Sequence, residues 1–478
     1  MNKEEKEKVE NMKIMPILLF FILISLFVIY YGYVNGDEGW SLLAGKNVYN
    51  GFKPYENFLL TQPPLLPYVY GFSQIFNRSL FLGRLTSLIF NILLFFTVYK
   101  ITKLLYSQKE ALIAVLLFST SYQILYFNNL VKSYVLAELL ACLSIYLFIK
   151  YIKTKFLSYA LFSGISLMLS ACTRILFSTI LLPFVLFYLM NRKQFKLNGI
   201  ALFLIGFLLT GILLIIPFIK NMDNMVFGVI KHHQIYHNPQ SYKMLTSVYM
   251  TIRYFISDYT FPLVILFCSA LSIKYHDFSF LLILISLTML VAIILPYPPY
   301  AEYFIQVIPF IMIVVSKPLT IMLSDKKTKI IGLLFIFFYV FLSFSDLMGR
   351  YIFNAVNEGF SIRINGYDKV VNRIKQINST NNLTFTFHTA IPYLLSYPVP
   401  KGMEVSSFGY YVGNLISPHD VEKYNLINDE KVIELFSNKS VGYVIISEND
   451  LSPNLRNVLN DNYKEIMEVE RLLIYVPK

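Results

Sequence analysis

The sequence is poor in charge and in cysteine for its length. Only 15% of its 478 residues are charged, whereas a soluble domain carries roughly 25%. The apolar residues also come in blocks of about twenty, the length of a helix that crosses a bilayer. A water-soluble protein would have to bury too many such blocks, so this class is excluded. The three cysteines, Cys142, Cys172 and Cys268, lie in apolar segments, which indicates neither a disulfide framework nor a zinc site.

Nucleic-acid recognition is excluded although the net charge is +12. The chain has no basic stripe with interleaved aromatic residues and no nucleic-acid-binding module. Its lysines and arginines instead cluster in every second short segment between apolar blocks, as positively charged cytoplasmic loops do. These segments are 100–109, 150–155, 192–196 and 326–329.

Eleven apolar blocks predict a polytopic α-helical membrane protein with about eleven transmembrane helices. Lysines precede the first block, so the N-terminus is expected in the cytoplasm. An odd number of crossings then leads to an extracytoplasmic C-terminus, and all four basic loops fall inside. The blocks are 15–34, 80–99, 111–128, 132–149, 157–173, 175–190, 198–218, 251–272, 279–296, 302–322 and 330–346.

Composition and pattern divide the chain into two parts. Residues 1–346 are expected to form the transmembrane domain, with a first outer loop at 35–79. Residues 347–478 shift towards Asn, Lys, Glu and Ser, and helix and strand signals alternate, which predicts a soluble extracytoplasmic α/β domain. Helices are predicted at 368–377 and 429–436, and strands at 384–388, 441–447 and 472–476.

The first outer loop begins with two adjacent carboxylates, Asp37 and Glu38. A carboxylate held at a dry interface can act as a general base towards a hydroxyl or an amine. The other interpretation is a solvated acidic cap after a helix. The Pro54-Tyr55 and Gln62-Pro63 steps that follow favour extended or turn backbone, and therefore a rigid loop.

The order of these motifs resembles a known superfamily. The acidic pair is followed by Gly-x-x-Pro-Tyr at 51–55, by Gln-Pro-Pro-Leu at 62–65 and by Gly-Arg-Leu at 83–85. This order resembles the integral-membrane glycosyltransferases of the GT-C superfamily. The protein mannosyltransferase and lipid A aminoarabinose transferase families are the nearest in pattern. The resemblance covers residues 15 to about 346 and includes the stretch 300–309.

The resemblance implies a lipid-phosphate-sugar-dependent glycosyltransferase, a hexosyl or pentosyl transferase. Such enzymes move one sugar from a polyprenyl- or dolichyl-phosphate carrier to an acceptor on the outer face of the membrane. The acceptor is a protein, a lipid or a glycan, and no nucleotide is used. Asp37 is the catalytic base that the resemblance implies, with Glu38 beside it. Gln62 departs from the aminoarabinose transferases, which carry a basic residue before Pro-Pro, and this argues against aminoarabinose as the sugar.

Polar residues at the predicted outer surface are candidates for holding the lipid phosphate or the sugar. A phosphate requires cations or aligned donors, and arginines at outer helix ends could instead reach lipid headgroups. Glu138 would lie inside the fourth helix, where an acid usually faces a cavity or a partner. The candidates are Tyr55, Gln62, Arg84, Lys132, Glu138, Arg174, Glu302 and Tyr303.

A histidine cluster at positions 232, 233 and 237 raises the question of a metal. His233 and His237 have i, i+4 spacing, which would allow joint ligation on a helix, but the following Asn238-Pro239 step would break a helix. A mobile polar loop over the carrier site is the other interpretation. No cofactor is therefore predicted with certainty, and a divalent metal stays open.

Two other functions share this topology. A transporter of lipid-linked sugars usually shows internal repeats with broken helices in matched halves, and the sequence has no such duplication. A glycan polymerase or ligase would move whole glycans, which the first-loop motif does not favour. A non-catalytic member of the fold also stays open, because only Asp37 and Glu38 stand out as acids in the first loop.

Overall fold

The computed structural model describes most of the chain. The described residues are 3–73, 75–191, 197–236, 246, 248–250, 253, 277–294, 300–357, 363–379 and 381–478. Nearly all of the predicted apolar block 251–272 lies outside them, as do Cys268 and His237.

Residues 3–357 are helical over most of their described length. The α-helices are Lys3–Tyr31, Gly36–Tyr49, Leu65–Ser73, Leu80–Leu105, Gln108–Thr120, Tyr122–Phe127, Tyr134–Thr154, Leu157–Thr173, Leu181–Met190, Leu197–Ile215, Met222–Val226, His232–Tyr236, Asp277–Ile294, Ile308–Ser324 and Lys329–Asn357. Tighter 3₁₀ segments cover Ile175–Ile180, Ile216–Asn221 and Ala301–Val307, and a π-helical turn covers Phe227–Lys231.

Six helical segments are long and apolar enough to cross a membrane by length and composition. They are Lys13–Tyr31, Leu80–Leu105, Tyr134–Thr154, Leu197–Tyr236, Glu302–Ser324 and Lys329–Gly349. Three shorter apolar helices, Leu157–Thr173, Ile175–Met190 and Phe278–Ile294, coincide with other predicted blocks. The helical membrane fold is thus confirmed, and the count of eleven crossings stays a prediction.

Two predicted segments differ from the observed backbone. The block 111–128 is two helices, because Ser121 adopts an extended conformation with φ −66° and ψ 123°. The segment from 219 onwards, which contains two histidines of the predicted cluster, is helical as far as Tyr236, the last described residue before a gap. The described part of this segment is therefore helical and not the loop that was the alternative to a metal site.

The first outer loop begins with a helix that was not predicted, and the Pro54-Tyr55 and Gln62-Pro63 steps lie in the non-helical stretch after it. Asn35 caps this helix, Gly36–Tyr49, by accepting a hydrogen bond from Asp37 N at 2.9 Å, and Glu38 Oε1 accepts one from Asn35 N at 3.0 Å. This reciprocal arrangement is a capping box. Successive residues on a helix point about 100° apart, so Asp37 and Glu38 face different surroundings although they are neighbours in sequence.

The C-terminal region, residues 363–478, combines helices with a four-stranded mixed sheet in the order β1-β2-β4-β3. Strand β1 (Thr384–Thr386) pairs in parallel with β2 (Tyr443–Ser447), while β4 (Leu472–Pro477) is antiparallel to β2 and to β3 (Tyr463–Val469). β3 was not predicted, and the other three strands coincide with predicted ones. The helices are Ile364–Ile374, Ala390–Leu395, Ser407–Gly413, Pro418–Lys423, Asp429–Ser437 and Pro453–Asn462.

The C-terminal region rests directly on the capped helix Gly36–Tyr49. A Cβ atom built on Gly39 would lie 2.4 Å from Ala390 N and 2.6 Å from Thr389 Oγ1. Lys46 Nζ, about two helical turns further on, donates to the carbonyl of Tyr397 at 3.3 Å. Because backbone cannot yield as a side chain does, this close approach requires glycine at position 39.

We therefore expect Gly39→Ala to separate the helix from the C-terminal region. The clash with backbone should lower stability by about 1–3 kcal/mol, the usual cost of overpacking, as measured by thermal unfolding and limited proteolysis in detergent. Gly36→Ala is the matched control, because a Cβ there would meet nothing within 4 Å. Equal unfolding temperatures for both variants would contradict the proposed contact.

Candidate active site

A buried lysine joins two carboxylates that are far apart in sequence. Lys132 Nζ lies 3.0 Å from Asp37 Oδ2 and 2.6 Å from Glu302 Oε2. Lys132 lies in the turn between the helices Tyr122–Phe127 and Tyr134–Thr154, and Glu302 lies in the 3₁₀ segment Ala301–Val307. The fold thus brings three of the predicted site residues into one ion-pair cluster.

The second oxygen of each carboxylate is bound by an aromatic donor. Trp40 Nε1–H donates to Asp37 Oδ1 at 3.3 Å, and the Tyr134 hydroxyl donates to Glu302 Oε1 at 2.8 Å. Both carboxylates are therefore held at two oxygens, which fixes their orientation towards Lys132.

The Asp37 carboxylate keeps its negative charge in this setting. Burial raises the pKa of Asp37, but the Lys132 ammonium, its hydrogen bond and that from Trp40 outweigh this and lower the pKa below its ordinary value. For Lys132, burial lowers the pKa, and the two carboxylates raise it well above its ordinary value. The pair is therefore ionised at neutral pH. Asp37 keeps 31% of its side chain exposed, against 4% for Lys132.

Arg174 lies beside this cluster and contacts no carboxylate among the described residues. Its Nε–H donates to Gln306 Oε1 at 3.0 Å and one terminal NH₂ group to Ser133 Oγ at 3.2 Å. The guanidinium carbon lies 4.3 Å from the centre of the Tyr134 ring and 5.2 Å from that of Tyr303. Neutral amide, hydroxyl and aromatic groups therefore orient a guanidinium whose charge no direct ion pair neutralises.

Beneath Asp37, Glu38 and Arg84 form a fully buried ion pair. Arg84 Nε lies 2.8 Å from Glu38 Oε2, and its Nη2 lies 2.7 Å from Oε1, a bidentate geometry. The same guanidinium donates to the carbonyls of Ile29, Gly32 and Tyr33 at 2.8, 3.2 and 2.6 Å. Arg84 thus binds the C-terminal carbonyls of the first helix together with the first turn of the second.

This geometry corrects the roles expected for Glu38 and Arg84. Both side chains are 0% exposed, so neither can touch a substrate in this arrangement. Glu38 also accepts the backbone N–H of Val131 at 3.1 Å. The pair therefore positions Asp37 on one side and Lys132 on the other, and a contact between Arg84 and a lipid phosphate has no support here.

Tyr55 and Gln62 hold the first loop together and lie outside the ion-pair cluster. The Tyr55 hydroxyl donates to the Gln62 carbonyl at 2.6 Å, and the Tyr55 ring packs edge-on against Phe218 with centroids 5.2 Å apart. Tyr55 has φ +65°, and its N–H donates to the Phe58 carbonyl at 2.9 Å. These contacts indicate that Tyr55 stabilises the conformation of the first loop.

Glu138 lies on the helix Tyr134–Thr154, and its side chain is buried in the protein interior. Its Oε2 accepts a hydrogen bond from Asn128 Nδ2 at 2.8 Å. Glu138 makes no contact with Asp37, Lys132 or Glu302. The expectation that an acid here faces a partner is met by Asn128.

The two described histidines of the predicted cluster point to separate carbonyls. His233 Nε2 lies 2.8 Å from the Thr61 carbonyl, and His232 Nε2 lies 3.3 Å from that of Phe408. Within the described ranges, no group of three or more His, Cys, Asp or Glu side chains is arranged to hold a metal ion. His232 and His233 instead connect the helix His232–Tyr236 to the first loop and to the C-terminal region.

A cavity of about 940 Å³ lies between Asp37 and the C-terminal region. One wall is residues 33–37 with Trp40, and the opposite wall is formed by the sheet and its loops. Groups with hydrogen-bonding capacity from the C-terminal region that line it include His388, Ser447, Glu448, Asn449, Arg456 and Tyr475. The exposed part of Asp37 therefore faces a space large enough for a substrate.

Four residues of the site were not predicted: Trp40, Ser133, Tyr134 and Gln306. Trp40 is the only tryptophan and follows Asp37 by one helical turn, which is a signal the sequence does carry. Ser133 and Gln306 orient Arg174 from positions 41 and 132 residues away in the sequence, and this separation conceals their role.

Comparison with known proteins finds one family profile and several solved structures that resemble the chain. The profile of the dolichyl-phosphate-mannose-protein mannosyltransferase family matches residues 61–219. A search among curated proteins by sequence gave no match.

Several solved structures share the fold at low identity. ArnT from Cupriavidus metallidurans, bound to undecaprenyl phosphate, is 11% identical with a TM-score of 0.66, covering 97% of both chains. An Archaeoglobus fulgidus oligosaccharyltransferase in complex with Zn and sulfate is 11% identical with a TM-score of 0.53. The match covers 90% of this chain and 68% of the oligosaccharyltransferase. The mycobacterial arabinofuranosyltransferase AftD is 11% identical with a TM-score of 0.51, and the match covers 96% of this chain and 41% of AftD. The GT-C resemblance is thereby confirmed.

We expect the Glu38–Arg84 pair to behave as one structural unit. Glu38→Gln alone leaves the buried charge of Arg84 uncompensated, and Arg84→Met alone leaves that of Glu38 uncompensated. Either change should lower the free energy of unfolding by about 3–5 kcal/mol. The double variant should cost clearly less than the sum of the two. A double-mutant cycle by thermal unfolding measures this coupling, and strictly additive losses would contradict it.

Proposed function

We propose that this protein is a membrane glycosyltransferase that moves a single sugar from a polyprenyl- or dolichyl-phosphate carrier to an acceptor at the outer face of the membrane. The observation that carries the proposal is the Asp37 carboxylate, which belongs to the ion-pair cluster with Lys132 and Glu302 and also lines the 940 Å³ cavity. The GT-C fold supports the reaction class. The carrier class is supported by ArnT, which was solved with undecaprenyl phosphate.

The Asp37 carboxylate is suited to act as the general base. An acceptor hydroxyl or amine in the cavity would donate its proton to Asp37 as its oxygen or nitrogen attacks the anomeric carbon of the sugar. The bond from that carbon to the phosphate oxygen breaks, and its electron pair stays on the carrier phosphate. Direct displacement of this kind inverts the anomeric configuration. Because the pKa of Asp37 is lowered, the base is ionised throughout the neutral range.

Cations are needed because the leaving phosphate gains a negative charge. The phosphodiester of the donor carries one negative charge, and the released phosphomonoester carries up to two. The guanidinium of Arg174 contacts no described carboxylate, so its positive charge can pair with the phosphate. An arginine guanidinium can donate two parallel hydrogen bonds to the oxygens of one phosphate. Lys132 is close enough to Asp37 to contribute from the other side.

The acceptor is expected to enter through the cavity under the C-terminal region. Its walls combine aromatic rings, such as Trp40 and Tyr475, with carboxylates, amides and Arg456. Aromatic faces and polar groups together suit a saccharide or another hydroxyl-bearing acceptor. The outer location follows from the positive loops, which the proposed topology leaves in the cytoplasm together with the N-terminus.

Asp37→Asn should abolish sugar transfer while the protein stays folded, because the amide keeps the volume and removes the base. We expect a loss of about 100- to 10,000-fold, the usual contribution of a general base. The measurement is transfer or release of sugar from radiolabelled polyprenyl-phosphate hexoses and pentoses by the purified protein in detergent.

Glu56→Gln is the matched control for the Asp37 variant. Glu56 lies in the same loop, is exposed, and contacts Lys53 and Asn221 away from the cluster. It should transfer sugar as the wild type does. Turnover by Asp37→Asn at the wild-type rate would contradict the assignment of the base, and transfer of whole glycans only would favour a glycan ligase.

Arg174→Gln should weaken the use of the donor. Losing a charged contact to phosphate should raise the donor KM by about 10- to 100-fold, and Arg174→Lys should recover part of this because it keeps the charge. Steady-state kinetics over a range of carrier concentrations measure the effect. Lys53→Gln, an exposed cation of the first loop, is the control, and an equal KM in Arg174→Gln and wild type would exclude the phosphate contact.

A further inference from the structure

We infer that the Lys132 ammonium takes the place that a divalent cation would occupy between Asp37 and Glu302, so that this protein transfers sugar without a metal ion. The inference deepens the proposed function and rests on it. Two carboxylates beside a phosphate site are the ligands that Mg²⁺ and Mn²⁺ prefer. Here the space between them is filled by a side chain of the protein itself.

The distances indicate how completely Lys132 fills that position. Its Nζ lies 3.0 Å from Asp37 Oδ2 and 2.6 Å from Glu302 Oε2, so one atom binds both carboxylates. The other oxygen of each is bound by Trp40 or Tyr134. A metal ion that bridged Asp37 and Glu302 at this position would have to displace Lys132 from both.

The surroundings of Lys132 resist that displacement. The side chain is 4% exposed, and its Nζ lies 6.0 Å from the centre of the Phe127 ring and 5.9 Å from that of Tyr134. Its backbone is held as well, because Lys132 N donates to the Leu130 carbonyl at 2.9 Å and Val131 N donates to Glu38. A displaced ammonium would stay buried without its counter-charges, which is strongly unfavourable.

The charge of the site leads to the same conclusion. Asp37 and Glu302 carry two negative charges, and Lys132 and Arg174 carry two positive ones. The described cluster is therefore neutral before the donor binds. Adding a divalent cation would leave it with two excess positive charges, whereas the phosphodiester alone adds one negative charge next to a lysine and an arginine.

Lys132 also has hydrogen-bonding capacity left for the substrate. An ammonium has three N–H donors, and two of them are used by Asp37 and Glu302. The third contacts no other acceptor among the described residues, and we expect it to bind an oxygen of the donor phosphate. Lys132 thereby combines two tasks that a metal ion performs in other phosphate sites, orienting the carboxylates and stabilising the leaving group.

The first arm of the test uses the wild-type protein and Mn²⁺ as the probe. After treatment with EDTA, the full-length protein in detergent is titrated with Mn²⁺ and followed by electron paramagnetic resonance and elemental analysis. We expect no stoichiometric Mn²⁺ and unchanged sugar transfer in EDTA. One tightly bound Mn²⁺ per chain, or transfer that EDTA abolishes and Mn²⁺ restores, would overturn the inference.

The second arm changes Lys132. Lys132→Glu places a third carboxylate between the other two and should bind one Mn²⁺ per chain. Lys132→Met should lose about 100-fold in transfer and regain part of it with Mn²⁺, while Lys132→Arg should keep metal-independent transfer. Size-exclusion profiles and unfolding temperatures show which variants fold. If Lys132→Glu folds and binds no more Mn²⁺ than wild type, the carboxylates do not form a cation site, and the inference fails.

The two arms separate this inference from the proposed function. Absence of sugar transfer by the wild type from every carrier, with and without Mn²⁺, would refute the proposed function. The Mn²⁺-binding measurements on wild type and Lys132→Glu do not depend on turnover. They therefore decide whether Lys132 occupies a cation position in either case.

Discussion

The buried ion pair between Glu38 and Arg84 is the interaction on which the site depends. One carboxylate binds the guanidinium at two oxygens, the N–H of Asn35 and the N–H of Val131. The guanidinium in turn binds three carbonyls at the end of the first helix. Asp37 adjoins this network on one side and Lys132 on the other. A buried pair adds little net stability by itself, but it fixes the distance between the two segments that meet at Asp37 and Lys132.

Electrostatic balance explains why charged groups can be buried here. Lys132 is neutralised by two carboxylates, and each carboxylate has an aromatic N–H or O–H donor on its other oxygen. Arg174 has neutral neighbours instead, namely an amide oxygen, a hydroxyl oxygen and the face of an aromatic ring. Lys132 is thus paired with two carboxylates of the protein, whereas Arg174 contacts none among the described residues. This difference suits the proposed phosphate-bearing donor, whose negative charge would grow as the sugar leaves.

The capped helix Gly36–Tyr49 links the membrane part to the C-terminal region. Its first turn carries Asp37 and Glu38, and Gly39 lies against the backbone of Thr389 and Ala390. Leu42 and Leu43 pack in one apolar cluster with Ile391 and Tyr393, whereas Trp40 and Ala44 pack with Tyr55 and Phe58. Movement of the C-terminal region would therefore act directly on the helix that holds the proposed base, and would change the cavity beside it.

The sequence by itself determined the membrane class and most helix positions, because these follow from local properties, and its motif order made Asp37 a candidate. Apolar length, the positive loops and the motif order can all be read without knowing which segments touch. Only the tertiary structure decided the roles of the other polar residues. Glu38 is next to Asp37 in sequence, yet helical geometry turns it into the interior towards Arg84, while Glu302 approaches Lys132 across 170 positions. Side-chain direction and long-range contact are properties of packing, and residue type and spacing do not encode them.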